Sequence, residues 1–509
     1  MNLMDYIGHI SRIGRIRPIK NQHGVSTMEV LIALAVFSMG TGAIISVVFG
    51  SEYLGLDGSL SRRSIELVQK NMQESLLQAN ERGVSGIADI SENPEVPFTL
   101  TRTLKHISEC AADSTVAALW TAPNNRVLNT TVNSRITDST TAMFLDRDCA
   151  TIPPTNPWDN PAWYLPLPEA IAGLGNKITN VEVFKREQNT YAVLTSAGTD
   201  LEESDFWIYN VTNPSATSLI ISTPDHGLNT GPGLYDADVF GSFAYVVGGN
   251  TANGTLQTIN ISDLTDPYLF YTYSLGSGLE ASHGWRVFAH QNKLFVGRKY
   301  AAGHELFVFD IGLNPGVPSL IRSVQLNTNV EDMVVRRQMV GGVEKVLVYL
   351  ATSANSKEVR VIDATSPASG LPEFGPGFDA AGTEHATSLY LYGPYLILGR
   401  QRTTAGRPEM YILDASLPQS GFTVKASWKL NLAPSQARVT SLAASGNLLF
   451  IGISDENKDF AVWDISNLLS PVLTSTINMP QAVTDLEYVD NIVYASLNDS
   501  NGFRIVHDE

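Results

Sequence analysis

The chain has 509 residues, of which 17% are charged, and its formal net charge is −17. This length allows two or three domains, and 43% hydrophobic residues with 40 glycines and 25 prolines are typical of a β-rich body with many turns. The basic residues do not cluster after residue 30, which argues against a nucleic-acid-binding surface, so no nucleic acid is predicted as a partner.

The first predicted element is a membrane-spanning helix over Val25–Phe49. At about 1.5 Å per residue, this apolar run is long enough to cross a hydrocarbon core of roughly 30 Å. The preceding basic residues predict that this end stays in the cytoplasm while the remainder is exported; they are Arg12, Arg15, Arg17 and Lys20. Glu29 is the only charged residue within the run, and a lone carboxylate in hydrocarbon costs about 3 kcal/mol.

The run "GVSTMEVLIAL", which begins at Gly24, resembles the class III signal of type IV prepilins and pseudopilins. In that family a prepilin peptidase cuts after the glycine, the new first residue is methylated, and a glutamate is the fifth residue of the mature chain. The resemblance therefore implies a leader of residues 1–24, cleavage between Gly24 and Val25, and filament assembly through Val25 and Glu29. Val25 stands where Phe is commoner, and the long leader is similar to type IVb-like or divergent systems. The alternative is a simple membrane anchor with a stray glutamate.

Cleavage at this position supplies a partner for the unpaired carboxylate. It creates an α-amino group at Val25, which is positive at neutral pH. Glu29 lies one helical turn further on, so it can meet the amino group of a neighbouring helix in a packed filament, and the pair offsets much of the desolvation cost. The expected partners are the prepilin peptidase, the inner membrane before assembly and other pilin subunits.

An amphipathic stalk is predicted to follow. From Ser59 the apolar residues recur at helical spacing, namely Ile65, Val68, Met72, Leu76 and Ala79. We expect one helix over residues 25–82, which the glycines near residues 55–58 can break, with its second half packed on a small exported domain. A free-standing linker helix is the alternative.

Residues 83–161 are predicted to form a small pilin-like or connecting subdomain, because they contain short β-like runs. Thr151–Pro161 is rich in proline and is predicted to be a linker. The two cysteines of the chain, Cys110 and Cys149, lie here without metal-ligand spacing. In an exported protein we expect one disulfide between them; two buried thiols are the alternative.

The remaining two-thirds of the chain repeats itself. A motif of apolar residues, Asp or Asn, small residues and Pro recurs at spacings of 50 to 53 residues, with its polar residue at Asn210, Asn260, Asp310, Asp363, Asp414 and Asp464. A shorter copy ends the chain, with His507 in the matching place. Each copy consists of two apolar strands, then the strand that ends in the motif, and then a fourth strand after the turn. This order predicts four antiparallel strands per repeat, as in a propeller blade.

The repeats predict a seven-bladed β-propeller over residues 162–509, so the expected fold is a long N-terminal pilin-like α-helix plus an all-β domain. The last blade lacks a fourth strand, and we expect Ala162–Ala170 to supply it and close the ring, which removes exposed edges. The repeat resembles the LVIVD family of bacterial surface β-propellers, whose turn has Asp followed by Ser and Pro. The Asp or Asn is expected to cap backbone amides in the turn.

The candidate functional residues of the propeller are spread over separate repeats. The polar residues expected where the inner strands begin, around the channel, are His226, Asp236, Asp238, His283, Asp332, Glu384, His385, Arg438 and Asp485. Histidines with acids can bind metal or transfer protons, but no ligand spacing links them, so most are expected to be solvated loop residues or satisfied hydrogen-bonders. The acidic loops Thr199–Asp205 and Ser454–Asp459 lack EF-hand spacing and are interpreted as charged hairpin tips rather than calcium sites.

These patterns predict a type IV pilin-like subunit, minor or at the filament tip, that displays the propeller for adhesion to an unknown surface ligand. It is expected in the inner membrane as a precursor and then in an extracellular filament or at the cell surface. No cofactor, metal or catalytic residue is predicted. Two alternatives stay open, namely a type II secretion pseudopilin that contacts a substrate and a membrane-anchored propeller enzyme that uses His283, His385 and Asp332.

Overall fold

The structure is a computed structural model that describes residues 58–82, 87, 89–108, 111–121, 126–137, 154, 157–164, 177–197, 204–221, 228–231, 233–249, 255–276, 283–299, 303–402, 406–431, 437–454, 459–499 and 502–508. The predictions for Gly24, Val25, Glu29, Cys110 and Cys149 lie outside these residues. Among the helices within these ranges, none has the length and apolar character needed to cross a membrane.

The first described unit is one helix on one sheet. The helix α1 is Gly58–Arg82. The sheet is an antiparallel meander of β1 (Ile90–Glu95), β2 (Phe98–Ser108), β3 (Ala111–Thr121) and β4 (Val127–Thr137). This unit lies within the region predicted as the end of the stalk and the small subdomain.

The apolar stripe of α1 packs on this sheet, as the spacing of its residues predicts. Val68, Met72 and Ala79 are buried in one cluster with Phe98 and Trp120 of the sheet. The guanidinium of the buried Arg102, in β2, also crosses to the helix and donates a 2.6 Å hydrogen bond to Ser75 Oγ. The amphipathic helix predicted from Ser59 to residue 82 is therefore confirmed. It packs on a sheet and is not free-standing.

Further along the described chain, seven more sheets follow one another. The first three consist of β6 (Ile178–Arg186), β7 (Asn189–Ser196), β8 (Phe206–Asn210) and β9 (Ser218–Leu219); β10 (Leu234–Phe240), β11 (Phe243–Gly248), β12 (Thr255–Asn260) and β13 (Tyr268–Ser274); and β14 (His283–His290), β15 (Lys293–Lys299), β16 (Leu306–Asp310) and β17 (Ser319–Val324). The fourth consists of β18 (Val330–Val340), β19 (Val343–Thr352) and β20 (Val359–Asp363).

The last three sheets have the same antiparallel order. They consist of β21 (Ala386–Tyr392), β22 (Tyr395–Arg400), β23 (Met410–Asp414) and β24 (Thr423–Trp428); β25 (Val439–Ser445), β26 (Leu448–Ile453), β27 (Phe460–Asp464) and β28 (Val472–Ile477); and β29 (Val483–Val489), β30 (Ile492–Leu497), β31 (Phe503–Asp508) and β5 (Pro161–Tyr164). The second strand of each of these seven sheets is mostly buried, because other sheets cover both of its faces.

The fourth sheet departs from the predicted four strands. After β20 the chain makes isolated bridges, Val359 with Phe378 and Ile362 with Glu373, instead of a continuous strand. Pro372 and Pro376 lie in this stretch and have no backbone N–H to donate to a strand partner. The prolines therefore explain why the outer edge of this sheet is irregular.

The repeated Asp or Asn caps the turn after the third strand, as the sequence predicts. In six repeats its side-chain oxygen accepts a hydrogen bond of 2.7–3.0 Å from the backbone N–H two residues later; the six are Asn210, Asn260, Asp310, Asp363, Asp414 and Asp464. This geometry is an Asx turn, for which Asn and Asp are both suited.

The two ends of the repeat region meet in one sheet. β5 pairs antiparallel with β31, with Tyr164 opposite Ile505 and Pro161 opposite Asp508. This confirms the predicted closing strand for Ala162–Tyr164. The first strands of the described sheets also contact one another in the order β6, β10, β14, β18, β21, β25 and β29, and β29 contacts β6. The sheets are therefore arranged around a common axis.

The closing segment carries a core residue that the sequence analysis missed. Trp158 is fully buried beside Phe450, with ring centroids 4.7 Å apart, and its indole N–H donates a 3.2 Å hydrogen bond to Asn491 Oδ1. The linker predicted for Thr151–Pro161 is therefore wrong at this position. Trp158 anchors the segment that enters the last sheet.

We expect Trp158→Ala to destabilise the ring by about 3–5 kcal/mol, because it removes a buried indole and leaves a cavity. The measurement is the free energy of unfolding from urea titration, followed by fluorescence and circular dichroism. Leu313→Ala is the matched control because Leu313 is 97% exposed, and it should change stability by less than about 0.5 kcal/mol. Equal stability of the two variants would contradict this role of Trp158.

Candidate functional site

The inner strands share one irregularity that positions polar side chains around the axis. In each of the seven first strands the pairing register shifts by one residue near the start of the strand. Such a bulge re-aims the side chain that follows it. The residues directly after the bulges are Asn180, Asp236, Arg286, Asp332, Ser388, Ser441 and Asp485. We call this set the polar ring.

Several members of the polar ring join one sheet to the next. Asp236 Oδ2 accepts a 2.8 Å hydrogen bond from the backbone N–H of Val287, on the neighbouring first strand. Three other ring residues accept in the same way, Asp332 from Leu389 at 2.7 Å, Ser441 from Leu486 at 3.1 Å and Asp485 from Val181 at 3.3 Å. Polar side chains therefore satisfy backbone donors that the twisted sheets leave without strand partners.

Side chains of the polar ring also bond to one another. Asn180 Nδ2 donates 2.8 Å hydrogen bonds to both Asp236 Oδ1 and Asp485 Oδ2. Arg286 Nε donates to Asp332 Oδ1 at 3.1 Å, and its Nη1 lies 4.0 Å from Asp236 Oδ1. Ser441 Oγ extends the chain by donating to Asp485 Oδ1 at 2.7 Å. The contacts form a continuous polar path from Ser441 to Asp332.

The charges of the polar ring are unequal, because three carboxylates share one guanidinium. Burial raises the pKa of Asp236, Asp332 and Asp485, although Arg286 opposes the shift in each case. Burial lowers the pKa of Arg286, but attraction to the three carboxylates outweighs it and holds that pKa above its ordinary value. Removing Arg286 would leave three buried acids without a counter-charge.

The structure brings together part of the predicted site. Asp236, Asp332 and Asp485 meet in the polar ring, and Asp238 lies two residues further along β10. Asp236 and Asp238 are buried, and Asp332 and Asp485 are half-buried. All four lie on strands and accept hydrogen bonds, so they are the satisfied hydrogen-bonders of the expectation and not solvated loop residues. His226 lies outside the described residues.

The other candidates lie apart from the polar ring. Glu384 Oε2 lies 3.6 Å from the guanidinium of Arg400, the carbonyl of His385 accepts the N–H of Gln401 at 3.0 Å, and Arg438 is exposed. Within the described ranges, no three His, Cys, Asp or Glu side chains are placed to hold a metal ion.

Sequence reasoning missed four members of the polar ring, Asn180, Arg286, Ser388 and Ser441. The signal was present in the repeats, because aligning the inner strands "YDADVF", "WRVFAH", "TSLAAS" and "TDLEYV" places Asp236, Arg286, Ser441 and Asp485 in one column. A polar residue at a fixed position of an apolar strand indicates a shared contact at the axis.

His283 belongs to a second cluster, which lies where the inner strands begin. The Tyr235 ring lies 5.2 Å from His283 and 4.8 Å from Trp285, and Lys299 Nζ lies 3.5 Å from the centre of the Trp285 ring. Lys299 also forms an ion pair with Glu331. Burial lowers the pKa of Lys299 to about 7, although Glu331 opposes the shift. This cluster joins three neighbouring sheets through contacts among its own members.

The two acidic loops end in buried carboxylates. Asp205 accepts a 2.8 Å hydrogen bond from the N–H of Thr230, and Asp459 accepts one of 2.9 Å from Met479. Burial raises the pKa of Asp205 to about 6. The interpretation as charged hairpin tips is therefore wrong at these ends. Three other repeats have a buried acid in the same place before the third strand, Glu305, Glu358 and Glu409.

The chain was compared with known protein families and solved structures. Residues 437–479, which include β25 to β28, match the LVIVD repeat. Among solved structures, the chain is similar to the Cps50 (Swd1) β-propeller domain of Myceliophteria thermophila, at 11% identity and a TM-score of 0.44 over 65% of this chain and 96% of that one.

Two further structures are similar in the same way. BamB from Moraxella catarrhalis has 10% identity and a TM-score of 0.37 over 83% of this chain and 96% of its own. Virginiamycin B lyase from Staphylococcus aureus has 10% identity and a TM-score of 0.42 over 68% and 98%. The search of curated proteins found no match. The repeat match and the ring of seven described sheets, six of which have four strands, show that the chain contains a β-propeller.

We expect Arg286→Met to destabilise the propeller by about 3–5 kcal/mol at pH 8, because it leaves buried carboxylates without their guanidinium. The carboxylates have folded pKa values above their unfolded value of about 4. Their charge therefore costs stability as the pH rises through the folded pKa. The loss should be smaller at pH 5 than at pH 8.

The measurement is urea unfolding of both proteins at the two pH values. Arg438→Met is the matched control, because Arg438 is exposed and its replacement should change stability by less than about 0.5 kcal/mol. A loss that is independent of pH would show that Arg286 contributes packing and not charge.

Proposed function

We propose that this chain is a type IV pilin-like filament subunit, minor or at the tip, that displays a seven-bladed β-propeller for adhesion or surface interaction. The observation that carries the proposal is the N-terminal sequence, in which Gly24 precedes an apolar run with Glu29 five residues later. A simple anchor has no need of an acid at that depth, since the carboxylate raises the cost of insertion.

Filament assembly explains this acid physically. The amine created at Val25 by cleavage and the carboxylate of Glu29 carry opposite charges near one end of the same helix. When helices pack side by side, the pair forms only in a register that brings one amine beside a neighbouring carboxylate. The pair then favours that register over others and keeps the helices aligned.

The unit formed by α1 and β1 to β4 supports the proposal. A helix that continues from the assembly segment needs its apolar stripe covered outside the filament core, and the sheet provides the cover through Phe98 and Trp120. The propeller has its own clusters of buried residues, from Trp158 onwards, which do not include this helix. The chain thus has a small domain between the proposed assembly helix and the displayed ring.

A binding role for the propeller is favoured over catalysis. The carboxylates of the polar ring accept hydrogen bonds from backbone or side-chain donors. Such bonds suit a structural role more than that of a general base. The proposed blade count of seven is supported by the seven repeats and by the order in which the inner strands contact one another. The ring presents loops on two faces, where propellers have room for partner contacts.

We expect Glu29→Leu to abolish recovery of the chain in filaments sheared from cells, because the Val25 amine loses its partner. The experiment uses cells that express a tagged full-length chain. The surface is sheared, filaments are collected, and the first residue of the recovered chain is identified by mass spectrometry. The wild-type chain should begin at Val25.

Glu74→Leu is the matched control, since it makes the same replacement at a half-exposed position of α1 and should leave filaments intact. An uncut chain that stays in the membrane would contradict the proposal and would favour a membrane-anchored propeller. Cleavage at Val25 without surface filaments would instead favour a pseudopilin of a secretion machine.

A further inference from the structure

The axis of the propeller contains a cavity of about 240 Å³ lined by all seven inner strands. It extends from the polar ring to Lys185 and Val489, near the ends of those strands. Lys185 forms a 2.7 Å ion pair with Asp490, and the two side chains are 27% and 33% exposed, so this end of the cavity approaches solvent. Six carboxylates line the cavity against two basic side chains.

The acids are concentrated on three consecutive sheets. β29, β6 and β10 contribute Asp485, Asn180 and Asp236 at the level of the polar ring. Two residues further along the same strands they contribute the second level, Glu487, Glu182 and Asp238. Alternate residues of a strand lie on the same side, so the two levels form one acidic wall.

The opposite side of the cavity is largely apolar at the second level. Phe288, Val334 and Tyr390 occupy the positions on β14, β18 and β21 that correspond to Asp238 on β10. A ligand in the cavity therefore meets carboxylates on one side and aliphatic and aromatic surface on the other.

One acceptor in the acidic wall has no donor. Asn180 is only 5% exposed, and its Oδ1 has no hydrogen-bond partner. Its Nδ2 is held between Asp236 and Asp485, so the carbonyl oxygen cannot exchange places with the amide nitrogen without losing both bonds. A buried carbonyl without a donor is destabilising, and a ligand N–H would remove that cost.

We propose that the cavity binds a short aliphatic diamine, with one ammonium group at Asn180, Asp236 and Asp485 and the other at Glu182, Asp238 and Glu487. Two residues along a strand separate the levels by about 6.6 Å, which suits two amines joined by four carbons. The methylene groups then lie against Phe288, Val334 and Tyr390.

The chemistry of the wall favours an organic cation over a metal ion. In the part of the chain that the structure describes, no three His, Cys, Asp or Glu side chains are placed to hold a metal ion. An ammonium group donates directed hydrogen bonds, which matches acceptors spread over two levels. The proposal concerns the propeller alone and does not depend on filament assembly.

The test is isothermal titration of the full-length chain with 1,4-diaminobutane, together with thermal unfolding in its presence. We expect one diamine per chain and a raised unfolding temperature. Butylamine, which has one amine, and 1,2-diaminoethane, which is too short to span the levels, should each bind at least about tenfold more weakly, since each loses one charged interaction.

The variant Asp238→Asn with Glu487→Gln removes two charges of the second level while keeping oxygens that can accept the N–H groups of Ala289 and Val183. It should bind the diamine at least about tenfold more weakly. Asp414→Asn with Asp464→Asn is the matched control, because it removes two charges at outer turns where other repeats already have Asn, and it should bind as the wild type does.

Three results would overturn the proposal. The first is the absence of heat and of thermal stabilisation with millimolar diamine. The second is equal weakening in the two double variants, which would indicate general surface charge. The third is a wild-type chain that binds Ca²⁺ but not the diamine, with the Ca²⁺ binding lost in the Asp238→Asn, Glu487→Gln variant. That result would make the acidic wall a metal site. The comparison of diamine with monoamine on the wild-type chain needs no variant to fold.

Discussion

The pairing of β5 with β31 is the interaction on which the propeller depends. It joins residues 161–164 to residues 503–508, so the last sheet is built from both ends of the repeat region. Without it the last sheet would expose an unpaired edge and the first and last blades would separate. Trp158 secures the same segment by filling a pocket beside Phe450. Closure therefore combines backbone pairing with a single large side chain.

The axis presents a second constraint, because seven inner strands meet there with backbone N–H groups that need acceptors. Side chains such as Asp236 and Asp332 supply those acceptors, and Arg286 partly neutralises the charge that they introduce. The same choice leaves an excess of carboxylates around the cavity, concentrated on three sheets. The carboxylates that hold neighbouring sheets together therefore also give the cavity its preference for cations.

Much of the propeller could be predicted from the sequence, because each repeat encodes its own strands and turn. The cap at Asp414 and the closing strand at Ala162–Tyr164 follow from local pattern and repeat count. Trp158 could not be identified in this way, since a tryptophan among prolines looks like part of a linker until the ring closes over it. Arg286 was missed because its partners lie about 50 residues away in each direction, on neighbouring blades.

Closure of the ring by the two ends of the repeat region can be measured directly by native-state hydrogen exchange of the full chain. The account predicts that the backbone amides hydrogen-bonded between β5 and β31 exchange as slowly as those of the buried strand β26, because all of them open only when the ring unfolds. Fast exchange of these β5 and β31 amides, with β26 still protected, would show that the ends do not close the propeller and would contradict the account.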